Sequence, residues 1–229
     1  MLSTFMMRVI SVPKKVDELL AEETGWHIGD GSMNFYLNRG KLKGIYQLRG
    51  HIEDDREHYV KVIKPIFKSL YNIELSLREM PSTRVYGFQI WSNKLVNFKI
   101  KLGLPLGKKF DILIPKIFLE NEELKISVIR GIFDTDGGIY LEKKNKKLYP
   151  RVEITTISMK LAEQILNILR ELGFRASIYS WDSVNHLNKK RVYKITTRGI
   201  EMFDKFISEI CPKNPKHIRK YNFFKESFK

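Results

Sequence analysis

Apolar and polar residues alternate almost without a break from Ser32 to Asn38. Met33, Phe35 and Leu37 fall on one side, and Ser32, Asn34, Tyr36 and Asn38 on the other. A period of two predicts a strand with one wet face. Just before it, apolar and small residues recur at helical spacing from Val16 to Asp30. The same spacing returns from about Glu122 to Asp136, where Asn121 is placed to cap the helix and Glu122 and Glu123 face the positive end of its dipole. The pattern next predicts a strand near Ile45 to His51 and a helix from about Asp54 to Tyr71, which Pro65 should kink or split. Strands near Ile73 to Arg78 and Arg84 to Ile90 follow, then a helix from Ser92 to Leu102. Beyond the second motif helix come strands near Gly138 to Lys144 and Arg151 to Thr156, a helix from Ser158 to Leu172, strands near Phe174 to Trp181 and Arg191 to Thr197, and a helix from Gly199 to Ile210. Each half reads helix, two strands, helix, two strands, helix.

The repetition extends to the residues. Gly25, Gly29, Asp30 and Gly31 correspond to Gly131, Thr135, Asp136 and Gly137, which sets Asp30 and Asp136 at 136 − 30 = 106 residues apart. Arg84-Val85-Tyr86 corresponds to Arg191-Val192-Tyr193 at an offset of 191 − 84 = 107. One unit written twice is the reading that accounts for both offsets. It divides the chain into a first repeat over 1–103, a connector over 104–120 and a second repeat over 121–229 that ends in a basic helix. The connector is too apolar at Ile112, Leu113 and Ile114 to be a free linker, and Phe223, Phe224 and Phe228 can dock the final helix. Small residues at i and i+4 in both motif helices allow close backbone approach, so these helices are expected to pack together. Asp30 and Asp136 would then converge at one end, where two carboxylates repel unless a divalent cation lies between them. Oxygen donors of this kind suit Mg²⁺ better than zinc.

Charge identifies a partner class. Forty-one Lys and Arg against twenty-six Asp and Glu give a formal +15 in 229 residues, an excess that favours a polyanion, with nucleic acid first. No run approaches the roughly 20 apolar residues of a spanning helix, so no membrane role is expected. The first twelve residues carry Arg8 within their apolar stretch and lack a clear leader cleavage site. Cys211 is alone and no Cys/His cluster has zinc spacing, which predicts a reducing compartment, cytoplasmic in a prokaryote or organellar in a eukaryote. The wet strand faces carry donors, acceptors and cations: Ser32, Asn34, Tyr36, Asn38, Gln47, Arg49, Glu74, Ser76, Arg78 and Gln89 in the first half. The second half has Tyr140, Glu142, Lys144, Arg151, Glu153, Thr155, Arg175, Ser177, Tyr179, Lys194 and Thr196. Such a mixture can read base edges in a major groove, although an ordinary solvent face alternates as well.

Both motif segments resemble the nine-residue signature of the LAGLIDADG homing endonucleases, and the order of elements in each half resembles the family's αββαββα unit. The resemblance implies an α+β fold: a tandem duplication with two antiparallel sheets forming a DNA-binding saddle and the motif helices packed at the interface between halves. It further implies a monomeric, pseudo-twofold, Mg²⁺-dependent DNA endonuclease. Such an enzyme makes double-strand breaks in duplex DNA at a long asymmetric target and leaves short 3′ overhangs. Asp30 and Asp136, with the backbone carbonyls of Gly29 and Thr135, would hold two or three divalent ions against the scissile phosphates, with Mn²⁺ able to substitute. Gln47 or Arg49, and Lys194, are the expected residues to organise water or screen the phosphate, with Gln89 and Lys94 as weaker candidates. Glu23, Thr24, His27 and Ile28 depart from the signature, and His27 is expected to be a packed helix residue.

Three other readings compete with this one. Asp134-Thr135-Asp136-Gly137 resembles the phosphotransfer motif of haloacid-dehalogenase-like phosphatases, with Asp134 as nucleophile. That motif should end a strand near the start of the chain, whereas here it is central, follows a helix and has a partner at Asp30. A non-cleaving RNA maturase, with its own intron RNA as partner, or a DNA-binding protein of the same fold, is the serious alternative, and two retained acids favour the nuclease. An intein-associated enzyme is expected less than a free-standing or intron-encoded protein, because the chain shows no splicing-type ends.

Overall fold

The computed structural model describes residues 10–145, 147–183 and 190–227. The start of the chain that bears on a leader, and Phe228, lie outside them.

The first motif helix, α1 (Glu18–Asp30), starts two residues later than periodicity alone suggests, because Asp17 accepts the Leu20 N–H and caps it. It runs directly into β1 (Gly31–Asn38), which pairs with β2 (Lys41–His51) in antiparallel register, Ser32 opposite Gln47 and Asn38 opposite Lys41. Arg39 and Gly40 form the two-residue turn with φ of 50° and 71°, the conformation that matches the twist of a hairpin. That tight turn carries pairing to the tip and adds 41–44 to the strand, a polar stretch with little alternation.

The following helix is divided as Pro65 demands. A short α2 (Arg56–His58) passes into a π turn over Tyr59–Ile63, and α3 (Lys64–Tyr71) resumes with Pro65 in its first turn. The Lys64 N–H donates to Tyr59 O, so hydrogen bonds slip register just ahead of the residue that lacks a donor. Asn72, with φ of 55°, ends α3. The expected strand from Ile73 to Arg78 is not formed. Only β3 (Arg78–Met80) pairs, with β4 (Val85–Trp91), while Leu75 is buried and Ile73 and Leu77 pack against the core. Burial of these side chains takes the segment out of the sheet. Ser92 caps α4 (Asn93–Lys101), accepting the Leu95 N–H.

The connector lies against the body, with Leu104, Ile112, Ile114 and Phe118 buried, whereas Leu113 is exposed. The second unit follows: α5 (Glu122–Asp136), capped by Asn121, then β5 (Gly137–Lys144), β6 (Lys147–Thr156), α6 (Met159–Glu171), β7 (Ala176–Ser183), β8 (Lys190–Arg198) and α7 (Ile200–Glu209). The last helix, α8 (Pro215–Glu226), docks through Phe224, which is buried, while Phe223 points to solvent. At helical spacing only one of two adjacent aromatics can face the body. Each half thus holds a four-stranded antiparallel sheet, ordered β1-β2-β4-β3 and β5-β6-β8-β7.

The motif helices pack against each other along their small residues. A Cβ on Gly25 would collide with Val128 O and lie 2.8 Å from the Gly131 Cα, and one on Gly131 would collide with Glu22 O. One turn further along, a Cβ on Gly29 would collide with the Thr135 side chain instead. The seam predicted from the spacing is therefore a backbone-to-backbone contact between halves. One continuous cluster of buried apolar residues joins both halves beneath the sheets.

Candidate active site

Close packing of α1 on α5 brings the acids together at their shared C-terminal end. The position a Cβ on Gly29 would take is 3.4 Å from the Asp136 carboxyl carbon. Asp30 is pushed up to about 8, chiefly by burial, then by the negative charges of Asp136 and Asp55. Asp136 is pushed up to about 6, chiefly by the protein packed around it, with Lys109 and Lys216 drawing it back down. By accessible surface it is the more open of the two. Asp30 Oδ2 is buried without a hydrogen-bond partner. Once Asp30 loses its proton, that bare oxygen beside a second carboxylate can take a cation.

Two lysines attend the pair. Lys109, from the connector, donates to His27 O at 3.2 Å, Ile28 O at 2.8 Å and also to Gly29 O. These carbonyls form the negative end of the α1 dipole. Gly29 O, expected as a metal ligand, therefore accepts the Lys109 amine in this structure. Lys216, in the first turn of α8, sits 2.8 Å from Asp55. Lys216 is the cation acting more strongly on Asp30, and Lys109 the one acting more strongly on Asp136. Sequence reasoning missed both, yet a signal existed: 216 − 109 = 107, the offset of the duplication. An open cleft of about 260 Å³ beside Asp136 is lined by Gly29, Lys109, Thr155 and Ile157, among others.

The sheets place the remaining candidates. Register sets Gln47 opposite Ser32, two residues after Asp30, and Glu153 opposite Gly138, two residues after Asp136. The pseudo-equivalent positions, 153 − 47 = 106 apart, carry an amide in one half and a carboxylate in the other. Glu153 is almost fully buried, held by Arg151 at 2.5 Å and Lys194 at 2.8 Å, and Arg151 also pairs with Glu142. Lys194 lies over the rings of Trp181 and Tyr140, at 5.2 and 6.0 Å from their centroids. It belongs to a charge network on the second sheet face. The first face is amide-rich: Gln47 pairs in register with both Ser32 and Gln89, and Arg49 with Gly87, which Arg78 also faces. Asn34, Tyr36 and Asn38 follow one side of β1 towards the hairpin tip, and Tyr140, Glu142 and Lys144 follow the matching side of β5. Tyr179 sits opposite Lys194.

Several expectations need correction. Glu74 and Ser76 lie outside the sheet, since β3 begins at Arg78. Arg175 precedes β7 and pairs with Glu201 of the neighbouring α7 at 2.7 Å, which takes it off the strand face. Lys94 is on α4 and donates to Ile10 O, which directs it away from the acids. Asp134 is buried, accepts the Lys213 and Asn214 backbone N–H groups, and is pushed up to about 7 by burial, so it pins the chain before α8 and is no exposed nucleophile. At Thr135 the expected ligand is the backbone carbonyl; the hydroxyl turns inward, donating to Gly131 O and Ile132 O at 3.1 and 3.0 Å. His27 is packed as expected, stacked on Tyr46 with a centroid separation of 5.3 Å, and burial holds it well below the usual histidine range. Glu23 departs from the signature for a reason absent from the sequence pattern. Within the core it pairs with Lys99 and accepts both the Tyr46 and Tyr71 hydroxyls at 2.9 Å.

Comparison with known proteins matches this geometry. The family model of the LAGLIDADG-like domain matches residues 123–211. A structure of the homing endonuclease I-DmoI superposes with a TM-score of 0.61 at 20% identity, covering 84% of this chain and 90% of that one. The LAGLIDADG homing endonuclease I-GzeII, in complex with its DNA target, gives 0.56 at 13% identity, covering 93% and 90%. Among curated proteins, the replication factor C small subunit of Methanocaldococcus jannaschii is 28% identical over 89% of this chain, and a component of the A-type ATP synthase of Pyrococcus abyssi 26% over 86%. The chain spans only 10% of the first and 17% of the second. Residues 123–211 thus match the LAGLIDADG-like domain, and the chain, with its duplicated motif helices, paired aspartates and two sheets, has the fold of these homing endonucleases.

Proposed function

We propose that this protein is a metal-dependent DNA endonuclease that cuts both strands of a long, asymmetric target and leaves short 3′ overhangs. The observation that carries the reading is the pair of raised carboxylates at the end of the helix seam, one with a bare buried oxygen, flanked by two lysines. A protein that only binds a polyanion gains nothing from two carboxylates facing it. A bound divalent cation, with Mg²⁺ the best fit to these oxygen donors, would supply charge neutralisation and a water of lowered pKa. Asp30 and Asp136 would hold it. Lys109 and Lys216 offset the charge building on the phosphate oxygens, and Lys109 can exchange the α1 carbonyls for that phosphate. Gln47 on one side, and Glu153 with Lys194 on the other, orient water next to the acids. The amide-rich first face and the charge network on the second contact the two unlike halves of the target.

The names of the relatives support a mobile module. Replication factor C, an ATP synthase and an aminotransferase have unrelated roles by name, yet the matching protein in each case shares most of this chain within a small part of its own length. Such recurrence fits a segment that inserts its own coding sequence into host genes.

Asp30→Asn and Asp136→Asn, tested separately, should each lower double-strand cleavage at least about 100-fold while duplex affinity holds or rises, since removing a negative charge beside a phosphate cannot weaken its attraction. Cleavage by both variants at the parent rate would overturn the assignment.

A further inference from the structure

Each half anchors the lysine-bearing segment of the other. Ser158, the cap of α6, donates its hydroxyl to Ile112 O at 2.9 Å and so fixes the connector three residues after Lys109. In the first half the residue before α2 is Asp55, which is nearly buried. Its Oδ2 accepts the His51 N–H at 2.8 Å, and its Oδ1 accepts from the Asn214 amide and the Lys216 amine, both at 2.8 Å. Gly50 leaves it room, for a Cβ there would lie 2.8 Å from Asp55 Oδ2. Asn214 is itself tied to α5 through Asp134 O at 2.8 Å.

The two anchors differ in kind. Ser158 is neutral and holds only backbone, leaving the Lys109 amine to rest on helix carbonyls. Asp55 is a carboxylate that grips the amine itself. Arg219, one turn along α8, pairs with Glu57, Lys213 pairs with Glu22 and Lys220 donates to Ile139 O, so the cations around Lys216 have partners of their own. Asp55 accounts for Lys216.

We propose that Asp55 is a positioning residue that fixes Lys216 beside Asp30, so that the two halves of the site present unequal cationic arms, one held by a carboxylate and one by helix carbonyls, and the two DNA strands depend differently on Asp55. The strand-specific part rests on the nuclease reading; the clamping of Lys216 does not.

Two measurements separate these parts. In metal-free protein, trace acetylation read by mass spectrometry should modify Lys216 several-fold faster in Asp55→Asn than in the parent, with Lys109 unchanged. An unchanged Lys216 rate, or an equal rise at Lys109, would overturn the clamp. With a duplex labelled differently on its two strands, Asp55→Asn should slow one strand roughly 10- to 100-fold, as expected of a misplaced group, so that nicked product accumulates. Lys216→Met should give the same strand bias, and the double variant should be no worse than Lys216→Met alone. Equal slowing of both strands, acceleration of either, or additive losses in the double variant would overturn the positioning role. If the parent cuts no duplex, the nuclease reading fails and acetylation alone decides the clamp.

Discussion

At the scale of single residues, the site opposes the stability of the protein that carries it. Asp30 sits in a buried, like-charged setting that raises it from an ordinary 3.8 to about 8. The folded metal-free protein therefore holds a proton that the unfolded chain has released, and stability present below about pH 3.8 is lost as pH rises towards 8. Asp30→Asn removes this penalty. Without metal, its melting temperature should match that of the parent near pH 4 and exceed it by roughly 4–8 °C at pH 8.5, which corresponds to about 2 kcal/mol in a chain of this size. A constant difference across that range, followed by calorimetry, would contradict the account. The acids themselves were legible in the sequence, because their neighbours are glycines that a close helix contact requires. Lys109 and Lys216 were hidden because each reaches the site from a segment beyond the αββαββα unit of its half, where no motif surrounds it. The Glu23–Lys99 pair was hidden for a different reason. A charged residue on a buried helix face becomes tolerable only through a partner 76 residues away, and periodicity carries no information about that partner.

At the scale of elements, glycines decide where the halves meet. Gly131 faces Glu22 O so closely that even one methyl group has no room. Gly131→Ala should destabilise the fold by about 3 kcal/mol, at the upper end of overpacking costs, because the obstacle is backbone that cannot rotate away. Equilibrium denaturation would measure this, and a neutral effect would mean that the seam is looser than described. The α5 cap and the split at Pro65 were readable because each has a local cause: Asn121 accepts the Leu124 N–H, and proline has no N–H to give. The length of β2 and the loss of a strand over 73–77 were not readable. The first depends on the Arg39-Gly40 turn, and the second on Leu75 leaving the ladder for the core. Tertiary packing overrode local alternation in the second case.

At the scale of the whole molecule, near-symmetric halves carry unlike surfaces. The first sheet offers amides at Gln47 and Gln89, and the second offers Glu153 locked between Arg151 and Lys194. A pseudo-twofold scaffold with different faces suits a duplex whose two half-sites differ in sequence. In the proposed function, the +15 charge would supply general attraction and the faces would supply discrimination. Duplication was visible as a recurring offset, whereas the division of labour between the faces depends on which charges neutralise each other across strands. The most direct test incubates the protein with a pooled library of long random duplexes in Mg²⁺, with EDTA and the Asp30→Asn/Asp136→Asn double variant as controls, and sequences the cut ends. Defined double-strand breaks with 3′ overhangs, present only with metal and both aspartates, are the predicted result. Breaks that persist in EDTA or in the double variant would contradict a reaction centred on Asp30 and Asp136.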